Sequence, residues 1–283
     1  MYLKPTAPRS IREVFADGIL IYKSAGRSTW MLALALELAA TLPWLLWQRE
    51  RAPVLSSDLL SSDLLSGGLL SGDLPSGAFP DVLTLLPSSP TVWLAVLVAI
   101  AIYGILYSAL IANVNGLATG RPASAADAIR LGLRLLPKTL LLGFLVLCIV
   151  AVGLLLFLVP GIYWGVTLQL VFVVLVVEGT GVRQSMTHSR GLIKGHWGRA
   201  ASLISYVVLV NLAAYVAVFL LTGIVVLMFG AGGSATSPVS QLLSLAADTL
   251  VAPLYAAVSV AMYYDLRLRK DRAGLAVVDA AGT

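Results

Sequence analysis

The stretch TLLLGFLVLCIVAVGLLLFLVPGIYWGVTLQLVFVVLVV, Thr139–Val177, contains no charged residue. As a single helix it would be about 58 Å long, whereas a bilayer's hydrocarbon core is about 30 Å thick. Pro160 and Gly161 divide the stretch, because proline cannot continue a helix's hydrogen bonds and glycine tolerates a chain reversal. The sequence therefore predicts two membrane spans joined by a turn at Pro160–Gly161.

The same length criterion finds four more spans elsewhere in the chain. Hydrophobic residues make up 59% of the 283 residues and charged residues only 12%, against roughly 25% charged in soluble proteins. We therefore expect an all-α polytopic membrane helix bundle forming one domain, 1–283, without a separate soluble domain. The six predicted spans are Trp30–Trp47, Val92–Ala112, Thr139–Val159, Ile162–Val177, Leu203–Phe229 and Leu242–Tyr264.

Basic residues indicate the orientation of these spans. Of the 19 Lys and Arg residues, 17 precede the first span, follow the last, or lie between the second and third or the fourth and fifth. Because basic residues concentrate in cytoplasmic segments, the N-terminus (1–29) and the tail (265–283) are predicted to be cytoplasmic. The Ala-, Leu- and Arg-rich composition favours a bacterial inner membrane. A cleaved signal peptide is the weaker interpretation of the first run, since Glu37 interrupts it.

Three of the predicted cytoplasmic segments have helical periodicity. Ser10 and Glu13 have the spacing of a capping box, and apolar residues follow at helical intervals up to Tyr22. Similar segments begin at Ser124 and at Val182. The pattern predicts three interfacial amphipathic helices, each followed by a transmembrane hairpin.

The segment 48–91 is predicted to be an external insertion. It contains five near-repeats of five residues between Ser56 and Pro80, which begin with Ser-Ser-Asp or Ser-Gly. Five repeats are too few to form the continuous core of a pentapeptide solenoid, and Gly and Pro interrupt the pattern in the later repeats. A low-complexity loop is therefore the favoured interpretation.

Polar residues inside the spans are candidates for function, because they are costly in lipid. They are Glu37, Gln169, Asn211 and Asp248. Glu37 is predicted about 10 Å and Asp248 about 24 Å from the cytoplasmic ends of their spans, so we do not expect them to share a proton. Helix packing is the favoured role, and a proton or substrate pathway is the alternative.

No enzymatic motif is present in the sequence. His188 and His196 lack a third metal ligand, and there is no phosphate-binding glycine loop or nucleophile elbow. No catalytic residue, cofactor or metal is therefore predicted. The basic residues flank spans, so the expected partner is the bilayer, with its anionic phospholipids, or another membrane protein, rather than nucleic acid.

One group of residues resembles a known family. Glu178-Gly179, Ser189, Trp197, Pro253 and the terminal Tyr-Tyr-Asp-Leu-Arg-Leu-Arg run at 263–269 are similar to bacterial multi-pass proteins related to the membrane domain of some glycerophosphoryl diester phosphodiesterases. Ser185 and Met186 depart from that family's pattern. The resemblance implies a membrane module without the phosphodiesterase activity, because the catalytic barrel is missing.

The conspicuous charges of this region suggest a collar of interfacial helices. We expect Asp265 to bridge to Arg190 and Lys194, and Arg267 and Arg269 to face Glu178. The candidate collar residues are Glu178, Arg183, Ser189, Arg190, Lys194, Asp265, Arg267 and Arg269. The favoured function is a non-enzymatic scaffold or accessory module. The alternative is a small transporter or channel using the polar residues of the spans, and a lipid-modifying enzyme ranks third.

Overall fold

The structure is a computed structural model that describes residues 7–60, 89–229 and 238–281. These residues form α-helices and no strand. The helices are α1 (Ile11–Lys23), α2 (Arg27–Leu60), α3 (Pro90–Ala118), α4 (Ala125–Leu156), α5 (Leu158–Thr167), α6 (Val171–Glu178), α7 (Val182–Ile193), α8 (Trp197–Phe229) and α9 (Pro238–Ala281).

Six helical stretches among the described residues are long and apolar enough to cross a membrane, with α5 and α6 together counting as one. Each of the six predicted spans overlaps one of them. The predicted all-α polytopic fold class is confirmed.

The chain divides into two compact units. The larger contains Met1–Glu37 and Tyr103–Thr283, and the smaller contains Leu38–Ile102. In the larger unit α1 and α8 both pack along α9, and α4 packs against α5. In the smaller unit the rings of Trp44 and Trp47 lie 4.7 Å apart. The candidate site residues considered below all belong to the larger unit.

The predicted turn at Pro160–Gly161 is wrong. The chain reverses at Phe157, whose backbone is extended, and Pro160 lies in the first turn of α5. Proline fits there because the first turn of a helix needs no intrahelical partner for its N–H groups. Gly161 packs against α4, where a Cβ would lie 2.5 Å from Leu154 Cγ.

The fourth span is broken near its middle. Residues 168–170 form a turn between α5 and α6. The apolar side chains on either side of this turn pack against Leu142 of α4 in a buried cluster with Leu168, Val171 and Leu175. The break therefore lies within packed protein, as irregular backbone at membrane depth requires.

The three predicted interfacial segments form different structures. The capping box of α1 is confirmed, with Ser10 N–H donating to Glu13 Oε2 at 2.6 Å. The segment after Ser124 is not a separate helix, because α4 continues through Pro137 into the span. The segment from Val182 forms α7, and Val182 and Met186 pack against the Leu142 cluster.

The tail and the insertion are only partly described. Helix α9 continues from the span through the predicted tail to Ala281. Helix α2 extends to Leu60, so the start of the predicted insertion is helical. The remainder of the pentad repeat, within 61–88, lies outside the described residues.

The α4–α5 contact predicts a specific sensitivity to glycine replacement. Gly161→Ala should destabilise the protein by roughly 1–3 kcal/mol, because its Cβ would overlap Leu154. Gly165→Ala in the same helix is the matched control, since nothing lies within 4 Å of its Cβ. Thermal unfolding in detergent measures both variants, and equal melting temperatures would contradict the close contact.

Candidate functional site

Asp265 forms the centre of a buried polar cluster where α1, α8 and α9 meet. Its carboxylate is 1% exposed. Oδ1 accepts the backbone N–H of Arg9 at 3.0 Å, and Oδ2 accepts the Nε–H groups of Arg199 and Arg269, each at 3.0 Å. One carboxylate of α9 thus links the segment just before α1, the start of α8 and the next turn of α9.

Arg9 is held through its backbone N–H, its backbone carbonyl and its side chain. Its carbonyl oxygen accepts hydrogen bonds from Nη2 of Arg199 and, at 2.6 Å, from Nη2 of Arg269. Its own guanidinium pairs with Asp17 of α1. We call these five residues, Arg9, Asp17, Arg199, Asp265 and Arg269, the N-terminal clamp. Three cations and two anions in mutual contact offset the cost of removing charge from water.

Asp17 is the clamp's second acid, and its side chain is only 4% exposed. It lies on the buried face of α1 with Val14, Gly18 and Ile21, and Gly18 packs directly against Val258 of α9. Burial raises the pKa of Asp17 above its ordinary value of 3.8, and the charge of Arg9 offsets part of that rise.

A second polar cluster surrounds Glu178 at the end of α6. Its carboxylate accepts the Tyr263 hydroxyl at 2.5 Å, contacts His188 Nδ1 at 2.7 Å and lies 3.9 Å from the Arg267 guanidinium. Arg267 also donates to the Tyr263 hydroxyl at 2.8 Å. Gly179 ends α6 in the left-handed conformation, with φ of 64°, which turns the chain into α7.

The structure brings the predicted collar residues together in a different pairing. Asp265 pairs with Arg199 and Arg269, so its predicted bridge to Arg190 and Lys194 is wrong. Arg267 does face Glu178, but Arg269 does not, because it lies one helical turn after Asp265 and bonds to it.

The other collar residues lie on α7 or directly after it. The Arg190 guanidinium stacks over the Trp164 ring at 4.5 Å, and Lys194 follows the helix and is exposed. Ser189 is buried and donates to the Thr167 carbonyl at 3.0 Å, next to the break between α5 and α6. Arg183 is exposed.

Three of the four polar residues predicted inside the spans take part in polar interactions. Tyr215 donates to Asp248 at 2.8 Å, and Asp248 lies within electrostatic range of Glu37. Gln169, in the break after α5, donates to the Tyr255 hydroxyl. Asn211 is half-buried one turn before Tyr215 on α8.

Asparagines near the end of α3 fix the neighbouring chain. Asn113 Oδ1 accepts the Thr29 hydroxyl at 2.7 Å, and its amide donates to the Ala123 carbonyl at 3.0 Å. Asn115 Oδ1 accepts the Tyr264 hydroxyl at 2.7 Å. These residues tie α2, α9 and the α3–α4 loop to one end of α3.

Sequence reasoning missed Arg9 and Arg199 as partners of Asp265, and Asp17 as the partner of the Arg9 side chain. A signal for Asp17 was present, because it falls between Val14 and Ile21 on the apolar stripe of α1. Arg9 contributes chiefly its backbone, which no side-chain pattern reveals. Among the described residues, no group of three or more His, Cys, Asp or Glu side chains is placed to hold a metal ion.

Comparison with protein-family models, with curated proteins and with solved structures finds no match for the chain. The resemblance to the phosphodiesterase-associated membrane domain stays a prediction from its motif residues.

The N-terminal clamp makes a stability prediction. Asp265→Ala should lower the free energy of unfolding by about 3–5 kcal/mol, because it leaves Arg199 and Arg269 without their buried partner. Asp271→Asn, an exposed position on the same helix, is the control and should change stability little. Melting temperatures in one detergent compare the two, and a similar small shift for both would contradict the clamp.

Asp17 predicts a pH dependence with a definite sign. Folding raises its pKa, so the native state binds the proton more tightly than the unfolded state does. The associated stability is complete below pH 3.8 and is lost as pH rises through the raised value. Relative to Asp17→Asn, the wild-type protein should therefore gain stability as pH falls from 7 towards 4. Melting temperatures of both proteins across this range test the sign, and a relative loss would contradict it.

Proposed function

We propose that the protein is a non-enzymatic multi-pass membrane scaffold or accessory module, whose basic end binds the anionic surface of a bacterial inner membrane. In this proposal both termini are cytoplasmic, and no cofactor or nucleic acid takes part. The observation that supports it most is that this end of the larger unit has two sets of basic side chains, one buried and bonded to protein groups and the other exposed.

The buried cations are already occupied by protein groups. Arg199 and Arg269 bond to Asp265 and to the Arg9 carbonyl, with side chains 15% and 24% exposed. Such groups serve packing, because their charge and hydrogen bonds are directed inwards. They hold the helix ends together and are unsuited to an external ligand.

A second set of cations is exposed and borders the spans. Each adds about 1 kcal/mol of attraction to an anionic membrane surface. They are Arg12, Lys23, Arg27, Arg121, Arg130, Arg134, Arg183, Arg190, Lys194, Arg267, Lys270 and Arg272. Lipid-facing apolar side chains continue from them along α8, with Leu209, Leu212 and Phe219 all more than half exposed. This arrangement suits a protein that rests in, and is oriented by, an anionic leaflet.

Replacing exposed cations tests this proposal. The triple variant Arg12→Gln, Arg134→Gln and Arg183→Gln should retain less phosphatidylglycerol, by roughly fivefold for each cation removed. The readout is native mass spectrometry of protein released from nanodiscs containing phosphatidylglycerol and phosphatidylcholine.

Arg49→Gln is the matched control, because Arg49 is exposed but is one of the two basic residues predicted on the opposite side. Because nanodiscs present phosphatidylglycerol in both leaflets, this variant should lower retention by at most the roughly fivefold expected of one cation. Equal retention by the wild-type protein and the triple variant would refute the proposed membrane contact.

A small transporter is the second candidate, and the neighbourhood of Glu37 and Asp248 favours it. These carboxyl groups lie within electrostatic range of each other, and Tyr215 donates to Asp248. Ionisable side chains gathered within spans are typical of proton or substrate pathways. In the scaffold interpretation the same contacts orient helices.

Proton flux separates the two candidates. In vesicles carrying a pH gradient, the scaffold predicts the same decay of the gradient with and without the protein. A transporter predicts faster decay that Glu37→Gln or Asp248→Asn abolishes. Asp271→Asn, which lies outside the clamp, serves as a control, because Asp271 is exposed and remote from both carboxyl groups in sequence.

A further inference from the structure

A cavity of about 310 Å³ lies between the end of α3 and the start of α4. Ala112, Leu131 and Val176 contribute apolar surface to it, and Asn115, Arg121 and Asp127 contribute polar groups. Its volume is at the lower end of the range of small-molecule sites, roughly 300–1,000 Å³. It has room for a headgroup rather than for a whole lipid.

The wall of this cavity is fixed by the protein itself. Arg121 N–H donates to the Gly116 carbonyl at 2.8 Å, and Asn113 donates to the Ala123 carbonyl at 3.0 Å. The loop approaches α3 so closely that a Cβ on Gly116 would lie 2.6 Å from the Arg121 carbonyl oxygen. Its shape therefore needs no ligand to form, which lowers the cost of binding.

The polar lining offers both donors and an acceptor. The Asn115 amide oxygen is engaged by Tyr264, so the amide's N–H groups are its remaining hydrogen-bonding capacity. Arg121 is exposed and supplies a guanidinium. Asp127 supplies a carboxylate that is 65% exposed, with Ser124 donating to Oδ2 at 2.7 Å and Arg130 only 3.5 Å from Oδ1.

We propose that this cavity binds the headgroup of a phospholipid that carries both a phosphate and a primary ammonium, the phosphatidylethanolamine class. Arg121 and the Asn115 amide donate to the phosphate, and Asp127 accepts from the ammonium. The apolar lining contacts the glycerol and the first carbons of the chains. The proposal rests on the proposed function, because it names one lipid for the same basic end.

The pairing of opposite charges distinguishes this ligand from other lipids. Phosphatidylglycerol has no cation and would leave Asp127 without a partner of opposite charge. The quaternary ammonium of phosphatidylcholine has no N–H to donate. Since a hydrogen bond to a charged group is one of the stronger polar contacts, retention of phosphatidylethanolamine should exceed that of either competitor by roughly tenfold or more.

The test uses the full chain in nanodiscs with equal amounts of phosphatidylethanolamine, phosphatidylcholine and phosphatidylglycerol, followed by native mass spectrometry. The wild-type protein should keep one phosphatidylethanolamine. Ala112→Phe, which fills the cavity without changing charge, should lose it, and Arg121→Gln and Asp127→Asn should weaken it roughly tenfold. Melting temperatures check that each variant is folded, and Ala112→Phe decides the test if Arg121→Gln does not fold.

The identity of the lipid lost in Ala112→Phe decides between the outcomes. Loss of phosphatidylethanolamine supports the proposal; loss of another lipid, or of none, overturns it. The triple variant used above should keep phosphatidylethanolamine while losing phosphatidylglycerol. If phosphatidylethanolamine is retained but phosphatidylglycerol binding does not depend on the exposed cations, only the proposed function is contradicted. If phosphatidylglycerol binding depends on those cations but phosphatidylethanolamine is not retained, only the cavity assignment is contradicted.

Discussion

The buried carboxylate of Asp265 is the constraint on which the larger unit depends. A charge removed from water must find partners, and this one finds them in Arg9, Arg199 and Arg269. These residues come from the beginning, the later part and the end of the chain. The same two arginines that pair with Asp265 also bond to the Arg9 carbonyl, so the carboxylate fixes the entry of α1 as well as the α8–α9 contact.

This constraint explains why α1 packs along α9 rather than only lying on a surface. The clamp holds the start of α1, and Asp17, Gly18 and Ile21 are buried along the helix. Gly18 permits the close approach, because a side chain there would overlap Val258. Exposed cations remain around this packed core, and their position bordering the spans is the basis for the proposed interaction with anionic lipid.

The sequence predicted the spans well because apolar length is a one-dimensional property. Pairings around Asp265 depend on how each helix is rotated about its axis, and hydropathy does not specify that rotation. The Asp265–Arg269 contact was accessible from its spacing of four residues, whereas Arg199 and the backbone of Arg9 come from distant positions. The Pro160 prediction failed because proline is compatible with both a turn and a helix's first turn.

Hydrogen exchange at the Arg9 amide tests the account most directly, because that N–H donates to the buried Asp265 carboxylate. The measurement is made by NMR on the full chain in lipid nanodiscs. The backbone amide of Arg12, an exposed residue in the first turn of α1, is the internal reference. The account predicts that the Arg9 amide is protected, although it precedes the first helix, and that Asp265→Asn weakens this protection. Exchange of Arg9 at the rate of an open chain would contradict the clamp.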